Sequence, residues 1–143
     1  MKKLVLIIVM IAFTLTSCVD KKEASNSILN NDWKKEIALD NGEKWEANIE
    51  TTKGVSDMII LLKENKETSL EAYLSLAEKL NKRNNILVKE CTMVGPSHDN
   101  LHIFLYPLIE KINALLEVES ASDAEKIVSS ISENLDAYTT YFK

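Results

Sequence analysis

Glycine, proline, cysteine and histidine are all scarce in this chain of 143 residues, which contains three, two, two and two of them, respectively. Three isolated glycines exclude a glycine-rich loop for phosphate binding, and two cysteines are too few for a disulfide framework. No nucleophile with its base, no pair of carboxylates and no cofactor-binding loop can be singled out, so we predict that the protein is not an enzyme. The net charge of −5 disfavours nucleic acid as a partner.

The N-terminus has the features of a secretion signal. Lys2 and Lys3 precede an apolar run over residues 4–15, which is too short to span a bilayer as a permanent helix. The run ends at Leu-Thr-Ser-Cys18, which resembles the lipobox of bacterial lipoproteins, where the leader is cut before a cysteine that becomes lipidated. We therefore predict a signal peptide over residues 1–17 and lipidation at Cys18, with an ordinary secretory leader as the alternative.

Lipidation would place the protein in the cell envelope, anchored through Cys18 to a lipid bilayer and facing the periplasm. Both the inner and the outer membrane are compatible with this prediction. Because the lipid would occupy Cys18, Cys91 would have no intramolecular disulfide partner.

Composition changes twice after the leader. Residues 18–31 are polar and short of bulky apolar groups, as expected of a flexible tether, and residues 32–143 can form one helical domain. At the start of this domain, Asp-Asn-Gly at 40–42 indicates a tight turn between two short segments. We predict a short β-hairpin or an extended lid here, which covers the core with four apolar side chains: Trp33, Ile37, Leu39 and Trp45.

Apolar residues then recur at helical spacing in four segments. The first segment spans about 49–65, with Asn48 as its predicted N-cap. The second opens with the capping-box sequence Thr-Ser-Leu-Glu at 68–71 and ends at the Gly-Pro pair at 95–96.

The third and fourth helices follow after short loops. Ser97 is the predicted N-cap of the third helix, and Pro107 is expected to kink it near Phe104, because proline lacks a backbone donor and clashes with the preceding turn. The fourth helix is predicted to begin after Ser120 or Ser122. Four amphipathic helices with short loops predict an all-α fold, a four-helix up-and-down bundle.

Most of the side chains that could bind a metal ion or react lie together in residues 91–102 (Cys-Thr-Met-Val-Gly-Pro-Ser-His-Asp-Asn-Leu-His). They contain both histidines and the only cysteine other than Cys18. We expect Cys91 on the inner face of the second helix, and His98 and His102 on one face of the third. Thiolate, thioether and imidazole groups bind soft metal ions, so the candidate metal ligands are Cys91, Met93, His98 and His102.

Copper is the favoured metal, because sulfur ligands suit Cu(I), whereas one cysteine with two histidines and a water would suit zinc. Haem ranks below copper, since two histidines four residues apart on one helix cannot lie on opposite faces of one haem. A structural role in the core and a redox or catalytic thiol are the competing interpretations of the cluster. The stricter zinc and haem motifs are absent from the sequence.

The pattern Cys91-Thr-Met-x-Gly-x-x-His98-x-x-Leu-His102-x-Phe-Leu-x-Pro107, preceded by Leu39-Asp-Asn-Gly-x-Lys-Trp45, resembles a signature of small uncharacterised lipoproteins of Gram-negative bacteria. The resemblance covers roughly residues 33–117. It implies a helical periplasmic domain in which the cluster forms one unit, and it implies no particular activity.

Two functions are compatible with these features. The first is a membrane-anchored periplasmic lipoprotein that binds a soft metal ion through the cluster, for sequestration or for transfer with a metal-donor protein. The alternative is a non-enzymatic envelope scaffold or protein-interaction lipoprotein, whose partner is another envelope protein and whose cluster only packs the end of the bundle.

Overall fold

The computed structural model describes residues 28–143 and contains four long helices. Each long helix packs against the next one in the chain, and the first also packs against the fourth, so the four close into a bundle. The predicted all-α four-helix fold is therefore confirmed. The long helices are α1 (Ile49–Glu64), α2 (Leu70–Glu90), α3 (Pro96–Leu116) and α4 (Ala121–Asp136); a 3-10 turn, Asp32–Lys35, precedes them, and one further turn, α5 (Tyr138–Tyr141), follows.

The predicted leader, the lipidated Cys18 and the tether up to residue 27 lie outside the described residues. The last tether residues, 28–31, are described, and two of them bond to the bundle: the Leu29 carbonyl accepts from the Ser130 hydroxyl and the Asn31 amide donates to Glu133. Within residues 28–143, no helix combines the length and the apolar character that crossing a membrane requires.

Side-chain caps fix the start of two helices: Ser69, one residue after the Thr68 that the predicted capping box begins with, and Ser120, one of the two predicted candidates. The Ser69 hydroxyl accepts from the Ala72 backbone amide at 3.2 Å and begins α2, and the Ser120 hydroxyl accepts from the Asp123 amide at 3.1 Å and begins α4. These bonds satisfy backbone donors that the first turn of a helix leaves free.

The start of α3 differs from the prediction, because Ser97 lies inside the helix and does not cap it. Gly95, with a φ of 66°, is the N-cap, and Pro96 is the first helical residue. Proline suits this position because its missing N–H would have no partner there, and its fixed φ is already helical. The Ser97 hydroxyl donates instead to the Val94 carbonyl. The helix then continues through Pro107, and the predicted kink there stays a prediction.

The lid has the predicted turn but not the predicted hairpin. Asn41 and Gly42 have φ values of 51° and 93°, the positive values of a tight hairpin turn, and one bridge joins Asp40 to Glu43. No strand forms within residues 28–143, because the chain after the turn pairs with the C-terminus: the Trp45 amide donates to the Tyr141 carbonyl at 2.8 Å. Of the two predicted forms, the structure has the extended lid.

Three of the four predicted lid residues cover the core. Trp33 and Ile37 are buried, and Trp45 is half-buried with its indole donating to the Ala38 carbonyl at 2.7 Å. The prediction for Leu39 is wrong: the residue is exposed, because it lies next to the turn, where the chain leaves the helices.

Phe104, on α3, is the centre of the aromatic part of the core. Its ring meets Trp33 of the lid and Tyr138 and Phe142 of the C-terminal segment edge-on, with ring centroids 5.6, 5.4 and 6.2 Å away. Such edge-to-face pairs add to the free energy of burying the rings. One side chain therefore joins both ends of the described chain to α3.

Gly54 sets the distance between α1 and α2. A Cβ at this position would lie 2.9 Å from the Cβ of Leu87, closer than packed side chains come. In an open helix, alanine would stabilise relative to glycine by about 1 kcal/mol. Here we expect Gly54→Ala to lower the free energy of unfolding by about 1–2 kcal/mol, because overpacking exceeds the gain in helix propensity.

Urea unfolding followed by circular dichroism measures this change, with Ser56→Ala at an exposed position of α1 as the control. A gain in stability for Gly54→Ala equal to that expected of an open helix would contradict the close approach of the two helices.

Candidate functional site

The two histidines come together on α3, as the sequence predicts. His98 and His102 lie one turn apart on the helix, and their Nε2 atoms are 3.1 Å apart, with ring centroids at 4.3 Å. Four residues span slightly more than one helical turn, so both side chains project from the same face. Both residues are half-buried, which leaves the pair open to solvent on one side.

Tyr106 extends this row by one more turn, and the sequence analysis did not identify it. Its hydroxyl lies 2.7 Å from Nδ1 of His102, and the two rings are 5.0 Å apart. His102 therefore has a partner at each ring nitrogen: Tyr106 at Nδ1 and His98 at Nε2. The i, i+4 spacing that pairs the histidines also joins His102 to Tyr106, and that spacing was the available signal.

The separation of the two Nε2 atoms permits two chemical states. In the metal-free protein, the Nε2–H of one ring donates a hydrogen bond to the bare Nε2 of the other. If both nitrogens instead bind one ion at about 2.0 Å, a separation of 3.1 Å gives an N–metal–N angle of about 100°. This angle lies between those of square-planar and tetrahedral coordination, so the separation of the two nitrogens is compatible with one shared ion.

The predicted sulfur ligands lie just before this helix. The expectation that Cys91 lies on the inner face of α2 is wrong in detail, because α2 ends at Glu90 and Cys91 is the first residue beyond it. Cys91 and Met93 are both half-buried and pack against the core from the loop over 91–95. In the part of the chain that the structure describes, no group of three or more His, Cys, Asp and Glu side chains is arranged to hold a metal ion. The structure thus pairs the histidines and does not add the thiol to them.

Tyr138 of the C-terminal segment is buried at this end of the bundle. The hydroxyl of Tyr138 lies 2.9 Å from the Thr52 hydroxyl, beneath the start of α1. Burial is the main cause that raises the pKa of Tyr138, the bond to Thr52 opposes it, and the negative charge of a Cys91 thiolate adds to the rise.

In comparisons with known proteins, no family model, no curated protein and no solved structure matches this chain. The resemblance to small lipoproteins of Gram-negative bacteria therefore stays a prediction. The assignment of a function depends on the geometry of the site alone.

Proposed function

We propose that this protein is a lipid-anchored envelope protein, held to a bilayer through Cys18, that binds one soft metal ion at His98 and His102. Copper is the favoured ion, and the function is sequestration or transfer of the metal, without turnover. One observation carries the proposal: two imidazole Nε2 atoms lie 3.1 Å apart on the open side of a helix.

The arrangement of the pair lowers the cost of binding. Both rings project from one rigid helix, so a metal would order little chain that folding has not already ordered. The Tyr106 hydroxyl supports the required tautomer of His102: when Nδ1–H donates to that hydroxyl, Nε2 is unprotonated and can bind the metal.

Two histidines leave coordination positions for further ligands. Cys91 and Met93 lie in the loop that leads into α3, within seven residues of His98. Because the described residues do not group the thiol with the histidines, the sulfur ligation of Cu(I) that we propose requires this loop to move toward the pair. Two histidines with water instead suit Zn(II) or Cu(II), and among these Cu(II) binds nitrogen ligands more tightly. Copper is thus favoured with or without the sulfur atoms, and zinc is the alternative. Haem remains disfavoured, because both histidines lie on the same face of one helix.

The first prediction concerns the histidine pair. We expect the full chain, in detergent, to bind one Cu(I) per molecule in an anaerobic competition titration and one Zn(II) in calorimetry. The double substitution His98→Ala and His102→Ala removes both proposed nitrogen ligands, so the affinity should fall at least about 100-fold. Asn113→Ala, at an exposed position of the same helix, is the matched control and should leave the affinity unchanged.

Binding by the double variant equal to that of the original chain would contradict the proposal, provided that both have the same helical circular dichroism. Cys91→Ser and Met93→Leu then separate the ligand sets: a loss of Cu(I) affinity with unchanged Zn(II) affinity assigns sulfur to the copper site. If the original chain binds neither metal, the envelope-scaffold function becomes the better hypothesis, and capture of a partner protein is its test.

The second prediction concerns Tyr106. Tyr106→Phe keeps the ring beside His102 and removes only the hydroxyl at Nδ1, so the tautomer that exposes Nε2 loses its support. We expect metal affinity to fall by about tenfold, the lower end for loss of such a supporting bond, while stability changes by less than about 0.5 kcal/mol. Calorimetry with Zn(II) and urea unfolding measure the two quantities. Unchanged affinity would exclude a supporting role for the hydroxyl.

A further inference from the structure

Lys111 is a charged side chain in the interior of the bundle. The residue is completely buried on α3, and its Nζ donates to Asn31 Oδ1 at 2.5 Å, to Asn134 Oδ1 at 3.0 Å and to the Ser130 carbonyl at 3.5 Å. All three acceptors are neutral. Within the described residues, no carboxylate oxygen lies within ion-pair distance of this ammonium group. The charge is therefore buried without an opposite charge in contact.

One of the three acceptors belongs to the segment over residues 29–38. This segment includes the first part of the lid, with Trp33 and Ile37, and we call it the strap. The Asn31 carboxamide is its polar centre: Oδ1 accepts from Lys111 and, at 2.9 Å, from the indole of Trp33, while Nδ2 donates to Glu133 at 3.0 Å. Removal of the strap would leave the ammonium with two protein acceptors and open to water.

The strap has few other attachments to the helices. At one end the Leu29 carbonyl accepts from the Ser130 hydroxyl at 2.7 Å, and at the other the Ala38 amide donates to the Asn100 side chain at 3.0 Å. Between these ends, Trp33 and Ile37 are buried, and the Trp33 ring contacts Phe104 of α3 and Tyr141 of α5, with ring centroids 5.6 and 6.0 Å away. The Ala38 carbonyl also accepts from the Trp45 indole.

The charge beneath the strap opposes its closed position. Burial lowers the pKa of Lys111 from 10.5 to about 8; the charge of Glu133 acts in the opposite direction, and that of Lys34 in the same direction. At neutral pH the closed protein thus holds an ammonium that water would solvate better. Hydration of this group on opening offsets part of the apolar burial that Trp33 and Ile37 lose.

We propose that the strap is a releasable element, and that the buried Lys111 ammonium beneath it favours its release without unfolding of the four-helix bundle. Opening would bare a groove between α3 and α4 with a cation at its base. This element is separate from the metal site, and its test does not depend on metal binding.

The direction of the pH dependence follows from the two protonation states. With the strap closed, Lys111 loses its proton near pH 8; with the strap open and the amine in water, it loses it near its ordinary value of 10.5. Between these values the open form binds more protons, so raising the pH holds the strap more tightly. Below about pH 7 Lys111 is protonated in both forms, so the equilibrium between the open and the closed strap no longer varies with pH.

Hydrogen–deuterium exchange of the full chain measures the opening directly. The main reporter is the Ala38 amide, which donates to Asn100 of α3; the amides of Lys34 and Ile37 are bonded within the strap and exchange when its turn opens as well. Exchange is expressed as protection factors so that intrinsic exchange rates cancel. We expect these amides to be less protected than core amides of α2, and their protection to rise about tenfold from pH 7 to pH 9.

Two variants assign this dependence to one residue. Lys111→Met should abolish the rise in protection, whereas Lys126→Met, at an exposed position of α4, should keep it. If Lys111→Met does not fold, Lys111→Arg serves, because arginine keeps the charge and does not titrate in this range.

Three results would overturn the proposal. The first is strap protection equal to that of the α2 core, since the strap would then open only when the protein unfolds. The second is strap protection that stays constant with pH while core protection rises, since Lys111 would then stay buried during opening. The third is an unchanged rise in the variants at Lys111.

Discussion

The packing of Phe104 against Tyr138 and Phe142 of the C-terminal segment is the interaction on which the rest of this structure depends. Its ring is fully buried and touches aromatic rings from both ends of the described chain, so the lid, α3 and the C-terminal segment share one contact point. Its carbonyl also accepts from the Asn134 amide on α4 at 3.3 Å. Because aromatic burial of this kind contributes several kcal/mol per residue, position 104 fixes the orientation of α3 within the bundle.

That orientation places two different chemistries on two faces of one helix. His98, His102 and Tyr106 repeat every four residues and lie on a partly exposed face of α3. Phe104 and Lys111, seven residues apart, are buried and face the strap and the core. The proposed metal site takes up its ion from solvent. The proposed release of the strap depends on a buried charged group that becomes hydrated when the strap opens. Burial and exposure on the same rigid helix supply both requirements, so α3 carries both proposed functions.

Local patterns in the sequence were sufficient for the four helices, the Ser120 cap and the histidine pair, and they placed the cap of α2 within one residue of Ser69, because each depends on residues within about one helical turn. Features that depend on distant contacts were not predictable in this way. Trp45, which follows the Asn-Gly turn, pairs with Phe142 near the C-terminus. The Asn31 side chain accepts a hydrogen bond from Lys111, which lies 80 positions away in the sequence. The thiol of Cys91 stands one residue beyond its helix, and whether it joins the histidines depends on loop geometry that no spacing rule fixes.

The most direct measurement is a long-range 1H–15N NMR correlation spectrum of the side-chain nitrogens of both histidines, recorded anaerobically before and after addition of Cu(I). The chain contains only two histidines, so four nitrogen signals report the whole site. The account predicts that Nε2 of His98 and Nε2 of His102 change together and saturate at one equivalent, while Nδ1 of His102 stays protonated beside Tyr106. Unchanged Nε2 signals at saturating metal, or a change in only one ring, would contradict a shared metal ion at this pair.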